Sequence, residues 1–427
     1  MKHGHTQRVG AYLSQHAILP IQPELSRHWQ QCMVVPCFRE CPDFLLRLPP
    51  RVTGRELLVI CVLNRPDSEA DAECNTPLRA YLKAHTEQEI SAGLRLCRVT
   101  DRADILLLDL EEMEGPTPNQ QGVGRARRLG CDLALWLIHS NRIASPWILS
   151  SDADAQWPDY FIGREWPDDS AAIVLPFQHR TEAGTDLAKA TLIYELWLHV
   201  YVDGLESAGS PYAFHTLGSS CAFHAGAYAA VRGMPLRAGA EDFYLLNKLA
   251  KVGPIERPSG PPILIEARAS ARVPFGTGPA VQRLMGDLGS ENVRFFYHPD
   301  CFLALKAVLA QFPLWLEDPK RDATPTLQAH LGTDLGSNVD AILGQMDVAA
   351  GIDHARRQGA NTTARLRHLH TWFDGFRTLK FIHALRERCR ADLTYREFMR
   401  QDTLQGKAGD PLALRNAITA PWGWDLS

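Results

Sequence analysis

Short, almost wholly apolar runs recur along the first two-thirds of the chain, each closed by a polar loop. Cys32 to Cys37 (CMVVPC) is the first, Leu57 to Leu63 (LLVICVL) the second and Asp104 to Leu110 (DILLLDL) the third. Runs of this length without alternation predict strands buried on both faces, as in a parallel sheet. Stretches with helical spacing lie between them. Gly122 to Arg128 opens a helix with Leu129, Leu133, Ala134, Leu137 and Ile138 near helical spacing. Trp147-Ile148-Leu149 follows and stops at Ser150-Ser151-Asp152-Ala153-Asp154. Ala172 to Pro176 and Gly218 to His224 predict further strands. Leu187 to Val202, Ala225 to Val231 and Asp242 to Val252 predict helices, the last closed by Gly253-Pro254. The alternation defines an α/β fold, a mostly parallel sheet with helices on both faces.

From about Asp300 the strands fade and helical periods dominate. The expected organisation is an arm or short helix over 1–30, an α/β domain over 31–300 and a helical extension over 301–427. Between Arg356 and Arg400 there are eleven Lys/Arg against four Asp/Glu. Such a basic stretch reads first as a solvated or packing face, and second as a surface for an anionic lipid or substrate.

Composition narrows the function classes. A net charge of -4 gives no support for a nucleic-acid partner. No apolar stretch approaches the roughly 18–20 residues of a membrane-spanning helix, and the polar N-terminus lacks a secretory pattern. The ten cysteines scatter, several of them inside apolar runs, which predicts reduced structural thiols and a cytoplasmic setting. Cys37 and Cys41 have no second Cys/His pair at a zinc-type spacing.

The chemistry concentrates where the apolar run 147–149 ends. Asp152 and Asp154, spaced i, i+2 after a buried strand, deliver two carboxylates to the edge of the sheet where α/β proteins bind ligands. Two such groups repel and lose hydration unless a cation or ligand offsets them. Gly122 and Gly124 at a helix start could let backbone approach an anion, with Arg125 and Arg127 adding charge-assisted bonds. Glu241-Asp242 opens another helix, where acids are either macrodipole partners or catalytic groups.

Four elements occur in order: Val34-Val35-Pro36-Cys37-Phe38-Arg39-Glu40, Gly122 to Arg128, Asp152/Asp154, and Gly239-Ala240-Glu241-Asp242-Phe243. In this order the chain resembles the family 2 glycosyltransferases of the GT-A fold over roughly residues 30 to 265. That family shows a strand like Val-Ile-Pro-x-Tyr-Asn-Glu, a Gly-x-x-x-Ala-Arg-Asn-like helix start, an Asp-x-Asp strand end and a Glu-Asp pair. The chain departs in having Phe38-Arg39 for Tyr-Asn and Arg128 for Asn. It lacks the Gln-x-x-Arg-Trp motif of polymerising members.

The resemblance implies a metal-dependent, inverting, non-processive enzyme of hexosyltransferase type. It would take a nucleoside diphosphate-sugar and a hydroxyl acceptor of unassigned kind: saccharide, lipid or metabolite. Asp154 would hold Mn2+ or Mg2+ against the diphosphate, and Asp152 would lie toward the ribose or a metal-bound water. Asp242 would be the general base, with Glu241 a structural or acceptor-binding neighbour. Pro36, Glu40 and Asn64 would line the nucleoside pocket, with Asp109 a further candidate, and Arg127 matches the arginine of the family motif. A late histidine is a candidate third metal ligand: His298 first, then His215 and His224. The loop 268–278 would close over the donor, Arg272 meeting phosphate. The basic C-terminal helices leave a peripheral membrane contact or a homo-oligomer interface open.

Three other readings compete. A nucleotidyltransferase usually needs a glycine-rich basic loop after its first strand, where this chain has Cys37-Phe38-Arg39-Glu40. A phosphatase with an aspartyl nucleophile would place Thr or Val where Gln156 stands. A nucleotide-sugar-binding protein without catalysis would have no use for Asp242.

Overall fold

The computed structural model describes residues 2–49, 56–182, 185–268, 277–287 and 294–400. The described residues fold into two compact units, one built on residues 2–191 and 216–282, the other on 192–215 and 283–400. The division falls at 282, not the expected 300, and the segment 192–215 joins the helical unit. Arg272 lies outside the described residues.

A nine-stranded sheet organises the first unit. Its centre is Gln31–Cys37, paired in parallel with Leu57–Leu63 on one side and with Trp147–Ser150 on the other. Leu57–Leu63 pairs in turn with Asp104–Asp109, also in parallel. Every residue of Gln31–Cys37, Leu57–Leu63 and Asp104–Asp109 is buried, which is why these strands read as unbroken apolar runs. Beyond Trp147–Ser150 the sheet changes sense. Cys221–His224 runs antiparallel to it and to Ala172–Val174. The far edge is the antiparallel pair Leu94–Cys97 and Thr86–Ser91. The predicted strands all occur, in the mostly parallel sheet expected, with antiparallel pairs toward both margins.

The chain crosses from strand 31–37 outward through 57–63 to 104–109, then returns to the opposite side of 31–37 as strand 147–150. Between 31–37 and 147–150 the winding therefore reverses. The crevice at the carboxyl ends of two such strands is the general ligand position in open α/β sheets. Ser151, Asp152 and Glu40 all leave the sheet there.

The N-terminal segment is a docked helix, Lys2–Gln15. Tyr12 donates to Asp132 Oδ1 at 2.6 Å, and the Ile18 N–H donates to Asp132 Oδ2 at 2.9 Å. Asp132 is fully buried on helix Gly122–His139, so both carboxylate oxygens need these partners.

A smaller sheet joins Ala155–Gln156, Ile263–Glu266 and Phe177–Arg180. The helical unit packs around Pro299–Glu317, whose Phe302, Leu305, Val308 and Phe312 share a core with Phe373, Phe381 and Leu385. That helix corrects the expectation that no stretch reaches membrane-spanning length. It has 19 residues at a mean hydropathy of 1.2, and half of it is buried within the protein. All ten cysteines are free thiols.

Candidate active site

Arg127 is the organiser of the carboxyl edge. Its guanidinium is 4% exposed, and all three nitrogens have protein acceptors. Nε donates to Glu241 Oε1 at 2.9 Å and Nη2 to Asp152 Oδ1 at 2.5 Å. Nη1 faces Ser150 Oγ at 3.0 Å, the Ser151 carbonyl at 3.0 Å and the Gly218 carbonyl at 3.2 Å. Burial works against the Arg127 charge, but Asp152, Glu241 and Asp242 outweigh it and move its pKa up. One side chain thus ties the end of strand 147–150, the start of strand 221–224 and the first turn of helix Glu241–Leu249. In this geometry Arg127 meets carboxylates where the sequence suggested phosphate. Arg125 pairs with Glu114 instead.

The glycines act in the same joint. A Cβ on Gly124 would lie 2.6 Å from the Arg237 backbone and the Pro235 carbonyl, and one on Gly122 would lie 2.9 Å from Ala238 Cα. The expected approach of a ligand to these glycines is taken by the segment 235–238, for which a side chain leaves no room. That segment leads through Ala240, in the left-handed region at φ 58°, into Glu241 and Asp242.

Asp242 takes two backbone donors, Gly218 N–H at 2.8 Å and its neighbour Phe243 N–H at 2.7 Å. Burial first, and Glu241 next, push its carboxyl up to about 7, against Arg127 and both backbone bonds. A half-buried carboxyl titrating near neutrality is poised to exchange protons. Glu241, 4% exposed, is spent on Arg127.

Asp154 has a different cation. Arg268 Nε lies 2.8 Å from Asp154 Oδ2, and its two Nη atoms hold both Glu40 oxygens at 3.0 and 3.1 Å. The small sheet explains why. Ile265 pairs antiparallel with Ala155, and Glu266 N–H donates to the Asp154 carbonyl at 2.9 Å. Continuing that register brings Arg268 level with the Asp152–Asp154 turn. Burial and the Asp152 charge raise the Asp154 carboxyl to about 6 even with Arg268 opposing. The sequence marked the loop that begins at Arg268, of which 269–276 lie outside the described residues, but not this pairing, which the register of two short strands places.

Among the described residues no group of three His, Cys, Asp or Glu side chains is arranged to hold a metal ion. Asp152 and Asp154 are acid-only oxygen donors, each already facing a guanidinium. Such a set fits a Mg2+-like cation completed by ligand phosphates and water, which needs only one or two protein carboxylates. His298 caps helix Pro299–Glu317, its Nδ1 accepting from Asp300 N–H at 3.1 Å. His224 caps helix Ala225–Ala230 in the same way, and His215 Nε2 lies 3.2 Å from His199 Nδ1.

The expected nucleoside-pocket residues cluster at the next strand ends. Pro36 lies beyond the last pairing of its strand with 147–150, where no N–H is required on that side. Asn64 is 4% exposed, and its carbonyl accepts from Asn75 Nδ2 at 3.1 Å. Asn75 Oδ1 also accepts from Arg39 N–H at 2.9 Å, holding Arg39 in the left-handed region at φ 56°. A left-handed non-glycine residue at a strand end marks a position fixed by its surroundings. Asp109 is drawn elsewhere: it caps helix Leu110–Glu114 and pairs with Arg79 at 2.6 Å. Beside Asp152, a cleft of about 10 Å³ lies between Phe44, Leu48 and Trp157, room for one water.

No family model matches the chain, and no curated protein matches it. Among solved structures, the mannosyltransferase PcManGT from Pyrobaculum calidifontis, in complex with GDP-Man and Mn2+, is similar over 89% of this chain and 91% of that one, at 15% identity and a TM-score of 0.34. A likeness at that level lends nothing to the roles of individual residues.

Proposed function

We propose that the chain is a glycosyltransferase of the GT-A, family 2 type, moving a sugar from a nucleoside diphosphate-sugar to an acceptor hydroxyl. The observation that carries this reading is the single joint at Arg127, which gathers Asp152, Glu241 and, through Gly218, Asp242 at the point where the sheet reverses its winding. Carboxylates for a metal-diphosphate and a carboxylate base are then held in one frame.

In this proposal Pro36, Glu40 and Asn64 receive the nucleoside, and Asp152 faces its ribose. A divalent cation, Mn2+ or Mg2+, held by Asp154 and Asp152 would neutralise the diphosphate and favour its departure. Arg268 gives up Asp154 when the donor binds. Asp242 takes the proton of the acceptor hydroxyl as that oxygen attacks the anomeric carbon, and its raised pKa suits the task. One displacement inverts the anomeric configuration and requires no enzyme nucleophile.

The test is a thermal-shift screen of nucleotide-sugars with Mn2+, followed by turnover of any donor that raises the melting temperature. Asp154→Ala should abolish donor hydrolysis. Asp242→Ala should abolish transfer and spare donor binding; undiminished transfer by that variant would remove Asp242 as the base.

A further inference from the structure

The helical unit holds a cavity of about 390 Å³, within the size range of small-molecule sites. Trp197, Phe295 and Tyr297 supply its aromatic lining, and Arg386 and Asp392 stand among its polar residues. The Trp197 ring lies 5.3 Å from Phe295 and 5.9 Å from Tyr297, centroid to centroid. Tyr297 is buried, whereas Trp197 and Phe295 keep part of their surface exposed.

Arg386 and Asp392 face each other across a gap too wide for a hydrogen bond. Arg386 Nη1 is 3.7 Å from Asp392 Oδ2. Asp392 Oδ1 is buried and takes no hydrogen bond among the described residues, so neither carboxylate oxygen has a donor there. Arg386 has one other ion pair, with Glu387 at 3.6 Å, which is also beyond hydrogen-bond reach. The main chain of Asp392 is held separately, its carbonyl accepting from Arg294 Nη1 at 2.6 Å. A buried acceptor without a donor costs free energy and calls for a partner. Burial pushes the Asp392 carboxyl up even with Arg386, Arg283 and Arg294 opposing, as expected for a carboxylate short of donors.

Whatever spans the gap must accept from Arg386 and donate to Asp392. A hydroxyl does both, whereas a phosphate or carboxylate only accepts and an ammonium only donates. Charge selects neither an anion nor a cation, because acids answer the bases. Arg294 pairs with Glu397 at 3.2 Å, and Arg386 stands between Glu387 and Asp392. In the same cavity Phe295 and Trp197 offer apolar rings whose faces carry negative π density. Such faces suit a ring that gathers its C–H bonds on one side and its hydroxyls at the rim, as a pyranose does. One water could fill the gap, but it would leave the aromatic lining of a cavity this large uncovered.

We propose that this cavity binds a neutral saccharide, one hydroxyl bridging Arg386 to Asp392 and the sugar ring against Phe295 and Trp197. The proposal concerns residues of the helical unit alone and does not depend on sugar transfer at the strand-end acids.

The experiment is calorimetric titration of the full chain with glucose, mannose, galactose and maltose, and with glucose 6-phosphate and adenosine for comparison. At least one neutral sugar should saturate the chain and bind more tightly than glucose 6-phosphate or adenosine. Asp392→Asn should weaken that sugar about tenfold, because a charge-assisted hydrogen bond becomes a neutral one. Phe295→Ala should weaken it as well, through loss of the ring face. Circular dichroism checks that each variant is folded, and Arg386→Gln replaces Asp392→Asn if the latter is not. Asp152→Asn should keep the binding; its loss there would assign the sugar to the strand-end acids and overturn the proposal. No saturation by any of the neutral sugars, tighter binding of glucose 6-phosphate or adenosine, or an affinity indifferent to the Asp392 or Phe295 variant would each overturn it too.

Discussion

Arg127 Nε lies 2.9 Å from Glu241 Oε1 although 114 residues separate them, and both side chains are almost wholly buried. A buried ion pair of this kind contributes little net stability beside an apolar replacement, yet removing one partner leaves the other as an uncompensated charge. Arg127→Met should therefore destabilise the protein by about 3–5 kcal/mol, the range for a broken buried pair. Urea unfolding measures it. Glu241→Gln, which keeps a hydrogen-bonding side chain, should cost clearly less, and equal losses would show that Arg127 acts mainly through Glu241 and little through its other acceptors.

Asp242 and Asp154 make stability depend on pH with a definite sign. Both folded-state carboxyls sit above the usual range, at about 7 and about 6. The native state then holds protons that the unfolded chain has released. Their contribution is present below the ordinary carboxylate pKa, near 4, and is lost as pH rises through about 6 to 7. The urea midpoint should fall over that window. Asp242→Asn should flatten the upper part of the fall; an unchanged profile would place the Asp242 pKa near its ordinary value.

Base catalysis by the same group predicts the opposite trend in activity. Asp242 accepts a proton only when ionised, so transfer should rise with pH and level off above about 7. The check is the pH profile of kcat at saturating donor, with Asp242→Glu expected to shift the limb.

In the proposed mechanism Arg268 competes with the divalent cation for Asp154. Removing it by Arg268→Ala frees Asp154 and Glu40 together, since one guanidinium spans both. Mn2+ binding in the presence of a nucleoside diphosphate should tighten, read by calorimetry. Unchanged Mn2+ affinity would mean that metal and guanidinium do not share a site.

Gly124→Ala should cost about 1–3 kcal/mol, the usual penalty of overpacking, because its Cβ would strike backbone at 2.6 Å. Gly344→Ala meets nothing within 4 Å in the helix Thr333–Gln345 and should be neutral or stabilising. Their melting temperatures, measured side by side, separate packing from propensity.

The strands over 31–37, 57–63, 104–109 and 147–150 were legible because burial on both faces leaves an apolar run that needs no partner to be recognised. The pair Asp152 and Asp154 was legible because it interrupts such a run. The same local view did not name what lies against Gly122, Gly124 and Arg127. A glycine-rich basic helix start looks alike whether an anion or another backbone segment lies against it, and nothing nearby in the chain names the segment 235–238.

By itself the sequence determined the α/β alternation, the sheet's buried centre and the acids at its edge, since these follow from side-chain polarity and local period. The tertiary structure alone decided what each acid faces. Ion pairing depends on distance in space, and strand register carried Arg268 across to Asp154 while the fold of 235–242 carried Glu241 to Arg127.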